Sequence, residues 1–320
     1  MLELNTQVEI SRNHQQAQQE SKPSIQALTY SLVTNARVLK KHGEYQLAMN
    51  LLRQASGIET HELVLEELTD ILIKLEKWKE AYRVCQQWTK RATHFLSVYS
   101  LAQIEYQLGL DDKSLQSYFE LLSLVEDSRP ELFEVFKNMG NIFVRKSDFE
   151  SAEEFYNKAY AIKSHSDILL VNYGVLEMQR GDLNKARDRF RSAVQLNSMN
   201  DKAWVGLAMV HFDFSDFDLG VANLKKALDI APGNKTALNF AIQKMIQPEH
   251  QAFLIEAMQN YLSVDEFDED VSCQLIQKFF QAGRIDLALL ETQRLIVWHP
   301  EKIEYFNMFE KLQIAQERTV

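Results

Sequence analysis

Residues 133–166 read FEVFKNMGNIFVRKSDFESAEEFYNKAYAIKSHS, residues 167–200 read DILLVNYGVLEMQRGDLNKARDRFRSAVQLNSMN, and residues 201–234 read DKAWVGLAMVHFDFSDFDLGVANLKKALDIAPGN. Within each 34-residue segment, a large apolar or aromatic residue stands at positions 4, 7 and 24, a small residue at positions 8 and 20, and alanine at position 27. Three consecutive copies in the same register indicate an internal repeat, in which one supersecondary unit stacks on the next.

The spacing inside each segment predicts two packed helices. Small residues at positions 8 and 20 let two helices approach closely, and the large residues beside them fill the remaining gaps. Glycine at position 15 (Gly43, Gly109, Gly181 and Gly283) ends the first helix with a left-handed residue. Only 10 glycines and 5 prolines occur in 320 residues, which disfavours sheets joined by tight turns. We therefore predict an all-α fold.

The pattern resembles the tetratricopeptide repeat, whose 34-residue period has these small and aromatic positions. With five further copies, eight repeats begin near residues 29, 62, 95, 133, 167, 201, 235 and 269. The resemblance implies an α-solenoid of about eight helix–turn–helix repeats that forms a single superhelix over residues 24–320, with a C-terminal capping helix at 303–317. In the seventh copy, Pro248 is expected to end a helix early. Residues 1–23 are rich in glutamine and are predicted to be a flexible tail.

Charge and cysteine content limit the compartment and the partners. A formal net charge of −10 and a pI near 5.4 disfavour nucleic acid and anionic membranes, which bind strongly basic surfaces. Cys85 and Cys273 provide neither a metal-site spacing nor a disulfide framework. The N-terminal residues lack a basic stretch followed by an apolar run, and no window has about 18 consecutive apolar residues. We therefore expect a cytoplasmic protein.

No motif of an enzyme is found in the sequence. It has no phosphate-binding glycine loop, no HExxH and no GxSxG. The eight histidines are scattered, and only His211 stands at a core position, where we expect it to be buried. The acidic run at 265–270 lacks the glycine and the distal glutamate of a calcium loop, so we expect a solvated turn there. We predict no catalytic residue, no metal and no cofactor.

One candidate site is a carboxylate clamp. In the family, positions 2, 5, 9 and 12 of the first helices face the concave groove of the superhelix. Lys137, Asn141, Asn172 and Lys202 resemble the clamp with which chaperone-binding members hold the C-terminal carboxylate of a peptide. At the place of the clamp's usual arginine the chain has Gly206. If the clamp operates, the resemblance implies a chaperone-associated co-factor.

The second candidate site is an apolar groove. Eight residues at groove positions are apolar: Val171, Val175, Met178, Val205, Met209, Phe212, Ile246 and Phe280. We predict that they bind an amphipathic helix or an extended apolar peptide of a partner protein. The alternative is that neighbouring repeats cover them. Upstream, the groove positions are polar and of mixed charge, with Arg37, Lys40, Lys41, Glu66, Asp70 and Lys74.

The sequence thus favours a non-enzymatic, cytoplasmic adaptor or scaffold that binds protein partners in its groove, and neither nucleic acid nor membrane. The chaperone-associated co-factor is one alternative. Another is a regulator whose superhelix tightens on a signal peptide. Such regulators usually carry a separate output domain, for which the short segment before Ser24 leaves no room.

Overall fold

A computed structural model of the chain describes residues 24–125, 129–264 and 267–318. The predicted tail at 1–23 lies outside these residues. Within them all regular structure is helical and no strand occurs, which confirms the predicted all-α fold. The helices are α1 Ile25–Lys41, α2 Tyr45–Ile58, α3 Glu62–Lys74, α4 Trp78–Arg91, α5 Phe95–Gln107, α6 Asp111–Ser123, α7 Leu132–Arg145, α8 Phe149–Ile162, α9 Asp167–Arg180, α10 Leu183–Leu196, α11 Asp201–Asp213, α12 Phe217–Ile230, α13 Lys235–Lys244, α14 Gln251–Val264, α15 Glu269–Gln281, α16 Ile285–Trp298 and α17 Ile303–Glu317.

The helix bounds follow the register of the repeat. The helices α3, α5, α9, α11, α13 and α15 begin at residues 62, 95, 167, 201, 235 and 269, where the copies were expected to begin. The first helix begins at Ile25 and α7 begins at Leu132, slightly before the expected residues 29 and 133. The last helix, α17, covers the segment expected to cap the array.

Position 15 of the repeat adopts a left-handed conformation in seven of the eight copies. Four of these residues are the glycines named above, with φ between 69° and 85°. The other three are Glu76, Ser147 and Ser215, with φ of 54°, 59° and 62°. The expected left-handed glycines are therefore confirmed, and three copies accept the same backbone conformation without glycine. This conformation turns the chain from the first helix of a pair into the second.

The seventh copy departs from the pattern because of Pro248. Its first helix, α13, has 10 residues, and a 3-10 turn at Pro248–His250 precedes α14. Gln247, before the proline, has φ −65° and ψ 149°, which is extended backbone. Proline lacks a backbone N–H and disfavours a helical residue before it, so α13 cannot continue. The expected early end of this helix is confirmed.

The chain divides into two compact units, and the boundary falls between Ser147 and Asp148. This division is finer than the single unit expected from the register. We call residues 24–147 the N-terminal unit and residues 148–318 the C-terminal unit. The fully buried Trp88 and Tyr118 belong to the N-terminal unit, and the fully buried Phe190 and Tyr261 belong to the C-terminal unit.

Candidate functional site

The apolar groove residues lie in the C-terminal unit and differ in exposure. Val175 on α9, Ile246 after α13 and Phe280 on α15 are 39%, 72% and 49% exposed. Met178 and Met209 are half-buried, and Met209 packs at the edge of the core around α11 and α13. These five side chains reach the surface from four successive first-helix segments.

The other three groove residues are buried, which differs from the expectation that they line an open groove. They are Val171, Val205 and Phe212. The ring of Phe212 packs edge-on against Phe240 of α13, with ring centres 5.5 Å apart. A Cβ atom added at Gly220, the small residue at position 20 of the same repeat, would lie 3.0 Å from the Phe212 ring. Phe212 therefore fills the helix crossing of its own repeat.

One exposed residue of this face is absent from the expected set. Ile168 stands at position 2 of α9 and is 52% exposed. Because position 2 is a groove position in the family, the repeat register could have indicated it. We define the apolar face as Ile168, Val175, Met178, Met209, Ile246 and Phe280.

The clamp residues of the N-terminal unit already have partners within the chain. The Lys137 ammonium pairs with the Glu134 carboxylate one turn earlier on α7. The Asn141 amide donates a hydrogen bond of 2.9 Å to the Tyr106 hydroxyl oxygen on α5. A peptide carboxylate would have to compete with both contacts.

The clamp residues of the C-terminal unit are Asn172, which is half-buried, and Lys202, which is exposed. The usual arginine is replaced by Gly206, which is buried on α11. A Cβ atom at Gly206 would lie 2.4 Å from the Phe190 ring, and one at Gly174 would lie 2.5 Å from the same ring. The ring of Phe190 occupies the space that the clamp's arginine would need, so an arginine at this position would displace a core side chain.

A second surface, which we call the polar cleft, lies in the N-terminal unit. It is an open cavity of about 250 Å³ between first helices, lined among others by Lys40 of α1, Glu66 and Asp70 of α3, and Leu96 and Tyr99 of α5. These residues stand at positions 12, 5, 9, 2 and 5 of their repeats. The groove positions of three consecutive repeats thus meet in one cavity.

An ion-pair network closes one side of the polar cleft. The buried Glu67 carboxylate accepts from Arg37 Nε and from Lys40 Nζ, each at 2.5 Å. Lys40 also lies 3.0 Å from Asp70, which in turn lies 3.5 Å from Lys74. Burial alone would lower the pKa of Lys40, but its hydrogen bonds to Glu67 and Asp70 outweigh burial and raise that pKa. Lys40 is therefore positively charged at neutral pH.

The described residues contain no group of three or more potential metal ligands, and none of their helices is long and apolar enough to cross a membrane. His211 is buried as expected, and its Nδ1 atom lies 3.3 Å from Asp216 without forming a hydrogen bond. In the acidic run, residues 265 and 266 lie outside the described chain. Asp268 is buried rather than solvated, because its carboxylate caps α15 and accepts from Tyr261 and Lys235.

The short helix pairs, the small residues at their crossings and the left-handed turn residues define an all-α repeat protein of the solenoid class. Family models described as tetratricopeptide repeat match residues 134–165 and 174–235. A tetratricopeptide repeat protein from Parabacteroides merdae superimposes with a TM-score of 0.55 over 89% of this chain and 98% of its own, at 15% sequence identity. Residues 134–165 and 174–235 are therefore tetratricopeptide repeats, and proteins built from such repeats in general mediate protein–protein interactions.

Curated relatives are similar over part of their length. The chain is 25% identical over 170 residues to the mouse BBSome complex member BBS4, a match that covers 52% of this chain and 32% of the relative. It is 31% identical over 136 residues to a tetratricopeptide repeat protein 4 homolog of Dictyostelium discoideum, covering 40% of this chain and 34% of the relative. The chain spans about a third of the length of these relatives.

Proposed function

We propose that the chain is a non-enzymatic adaptor and that its apolar face binds an apolar segment of a partner protein. The observation that carries the proposal is the exposure of large apolar side chains at the same position of two successive repeats. Ile246, which is 72% exposed, and Phe280, which is 49% exposed, both stand at position 12 of their repeats. Phe212, at the same position, is needed for packing and is buried.

The energetics of such a face fit a partner of moderate affinity. Each apolar anchor that a partner buries contributes about 1.5–3 kcal/mol. Lost translational freedom and side-chain ordering offset a large part of this gain. A few anchors therefore give affinities in the micromolar range. The half-buried Met178 and Met209 add flexible side chains that adapt to different partner shapes.

Three further observations bear on where the adaptor acts and on how it binds. A cytoplasmic location is part of the proposal, and the free thiols of Cys85 and Cys273 are compatible with a reducing compartment. One relative is named as a member of a protein complex, which is the kind of setting an adaptor has. The carboxylate clamp ranks lower as a function, because Gly206 leaves no space for its arginine and Lys137 already has a partner.

The test compares two charged variants of the whole chain in affinity capture from native lysate with quantitative mass spectrometry. In Val175→Asp/Ile246→Asp the apolar face is interrupted, whereas in Leu290→Asp an exposed apolar residue of the second helix α16 is changed. We expect the first variant to lose partners that the wild type and the control retain. We also expect helical content to be unchanged, and capture by the wild type to be insensitive to salt. Retention of every partner by the double variant would refute the proposal.

A further inference from the structure

The polar cleft contains one carboxylate that nothing in the described chain neutralises. Glu67 and Asp70 share the cations Lys40, Arg37 and Lys74. Glu66, on the same helix and lining the same cavity, is half-buried and makes neither a hydrogen bond nor an ion pair with any described residue. A half-buried carboxylate without a partner favours a cation as the ligand.

The wall of the cleft contains a buried hydrogen-bond donor that is also unused. Trp88 of α4 lines the cavity and is 1% exposed, and its indole Nε1–H finds no acceptor among the described residues. A buried donor without an acceptor is costly and rare in folded proteins. Because this nitrogen is closed off from solvent, a bound segment would not contact it directly, and its N–H signal reports on the wall of the cleft.

The remaining lining suits the stem of a long side chain. Leu96 is 44% exposed and Ile73 is half-buried, and both contribute apolar atoms to the cavity. The Tyr99 ring stacks on Phe95, with ring centres 5.9 Å apart. Burial, together with the carboxylates of Glu134 and Glu131, raises the pKa of Tyr99, so its hydroxyl is neutral at neutral pH.

The geometry points to a binding site in the polar cleft for a lysine or arginine side chain of a partner protein. The cationic head pairs with Glu66, and the aliphatic stem lies on Leu96 and Ile73. This site is in the N-terminal unit and does not depend on the apolar face.

The test titrates the full chain with three nonapeptides in a ¹H–¹⁵N NMR experiment. The peptides share one alanine–serine sequence, are acetylated and amidated, and carry lysine, norleucine or glutamate at the central position. The indole N–H signal of Trp88, assigned with Trp88→Phe, reports on the cleft. We expect the lysine peptide to shift this signal and to bind at least tenfold more tightly than the norleucine peptide, with a preference that weakens as salt is added.

Two isosteric variants assign the preference to a residue. Glu66→Gln should bind the lysine and norleucine peptides with equal affinity. Glu120→Gln, a change at an exposed glutamate of α6, should still bind the lysine peptide more tightly. Equal binding of lysine and norleucine peptides to the wild type would overturn the inference without reference to any variant. Tighter binding of the glutamate peptide would overturn it too, because Arg37 and Lys74 would then be the recognition groups.

Discussion

A Cβ atom placed on Gly206 would lie 2.4 Å from the ring of Phe190, a distance that side chains in folded proteins essentially never show. Phe190 is fully buried, and a Cβ atom added at Gly174 would lie 2.5 Å from the same ring. The two glycines are therefore required by the crossing of three helices, α9, α10 and α11, rather than by backbone conformation. This relationship explains why the carboxylate clamp is incomplete at this position.

Gly206→Ala should lower stability although alanine is the better helix former. Overpacking against Phe190 costs about 1–3 kcal/mol, and the gain in helix propensity is about 1 kcal/mol. The matched control is Gly57→Ala in α2, where an added Cβ meets no atom within 4 Å. Gly57→Ala should raise the free energy of unfolding by up to about 1 kcal/mol. Urea unfolding followed by circular dichroism measures both changes, and the same sign for both variants would contradict the packing argument.

Two substitutions at position 15, where the backbone is left-handed, should change stability in opposite directions. Gly181 has φ 85°, a conformation in which the Cβ of an alanine crowds the backbone. Gly181→Ala should therefore lower the free energy of unfolding by about 1–2 kcal/mol. Ser215, with φ 62°, already bears that cost, so Ser215→Gly should raise stability by roughly 0.5–1 kcal/mol. The shift of the urea midpoint gives the sign of each change. A Ser215→Gly variant less stable than the wild type would show that the serine side chain stabilises this turn.

Phe212 and Ile246 stand at the same repeat position and should respond differently to truncation. Phe212→Ala removes a buried ring that packs against Phe240 and Gly220, and should cost about 3–5 kcal/mol. Ile246→Ala changes a side chain that is 72% exposed, and should alter stability by at most about 0.5 kcal/mol. Calorimetric unfolding of the two variants compares the effects. A large loss for Ile246→Ala would mean that its side chain is part of the core and not of the apolar face.

The contrast between these two residues shows how far the repeat register could predict the molecule. The period indicated the helix starts and the left-handed turns, because each depends on residues within one or two repeats. It also placed both residues on the groove side. Their burial depends on what the next repeat presents: Phe240 covers Phe212, whereas Pro248 ends the seventh repeat's first helix early and Ile246 lies beyond it.

The polar contacts were less predictable for a similar reason. The acidic run suggested a solvated turn, and yet Asp268 is buried because Lys235, a full repeat earlier in the chain, reaches its carboxylate. In the same way, the Glu66 carboxylate and the Trp88 indole N–H have no partner within the described chain because α1 and α5 bring none to them in the cleft. Spacing along the sequence gives the helix face on which a residue lies, but not the partner that meets it in space.

Asp268 should make stability depend on acid pH. Burial alone would raise the pKa of its carboxyl group, but hydrogen bonds from Lys235, Tyr261 and the backbone of Val271 outweigh burial and lower that pKa. A carboxyl whose pKa is lower in the folded chain than in the unfolded chain stabilises the fold above the unfolded pKa of about 3.9. This contribution is lost as the pH falls through the lower pKa of the folded state.

Asp268→Asn isolates this contribution, because asparagine also caps helix N-termini well. At pH 7 we expect the variant to be less stable by about 1 kcal/mol, a value kept small because Lys235 is half exposed to solvent. The difference should hold down to about pH 4 and disappear at lower pH as the wild-type carboxylate takes up a proton. Asp229→Asn, at an exposed position of α12, serves as the control and should follow the wild type throughout. Urea unfolding from pH 2 to pH 7 measures the curves, and a difference independent of pH would show that the charge of Asp268 does not stabilise the fold.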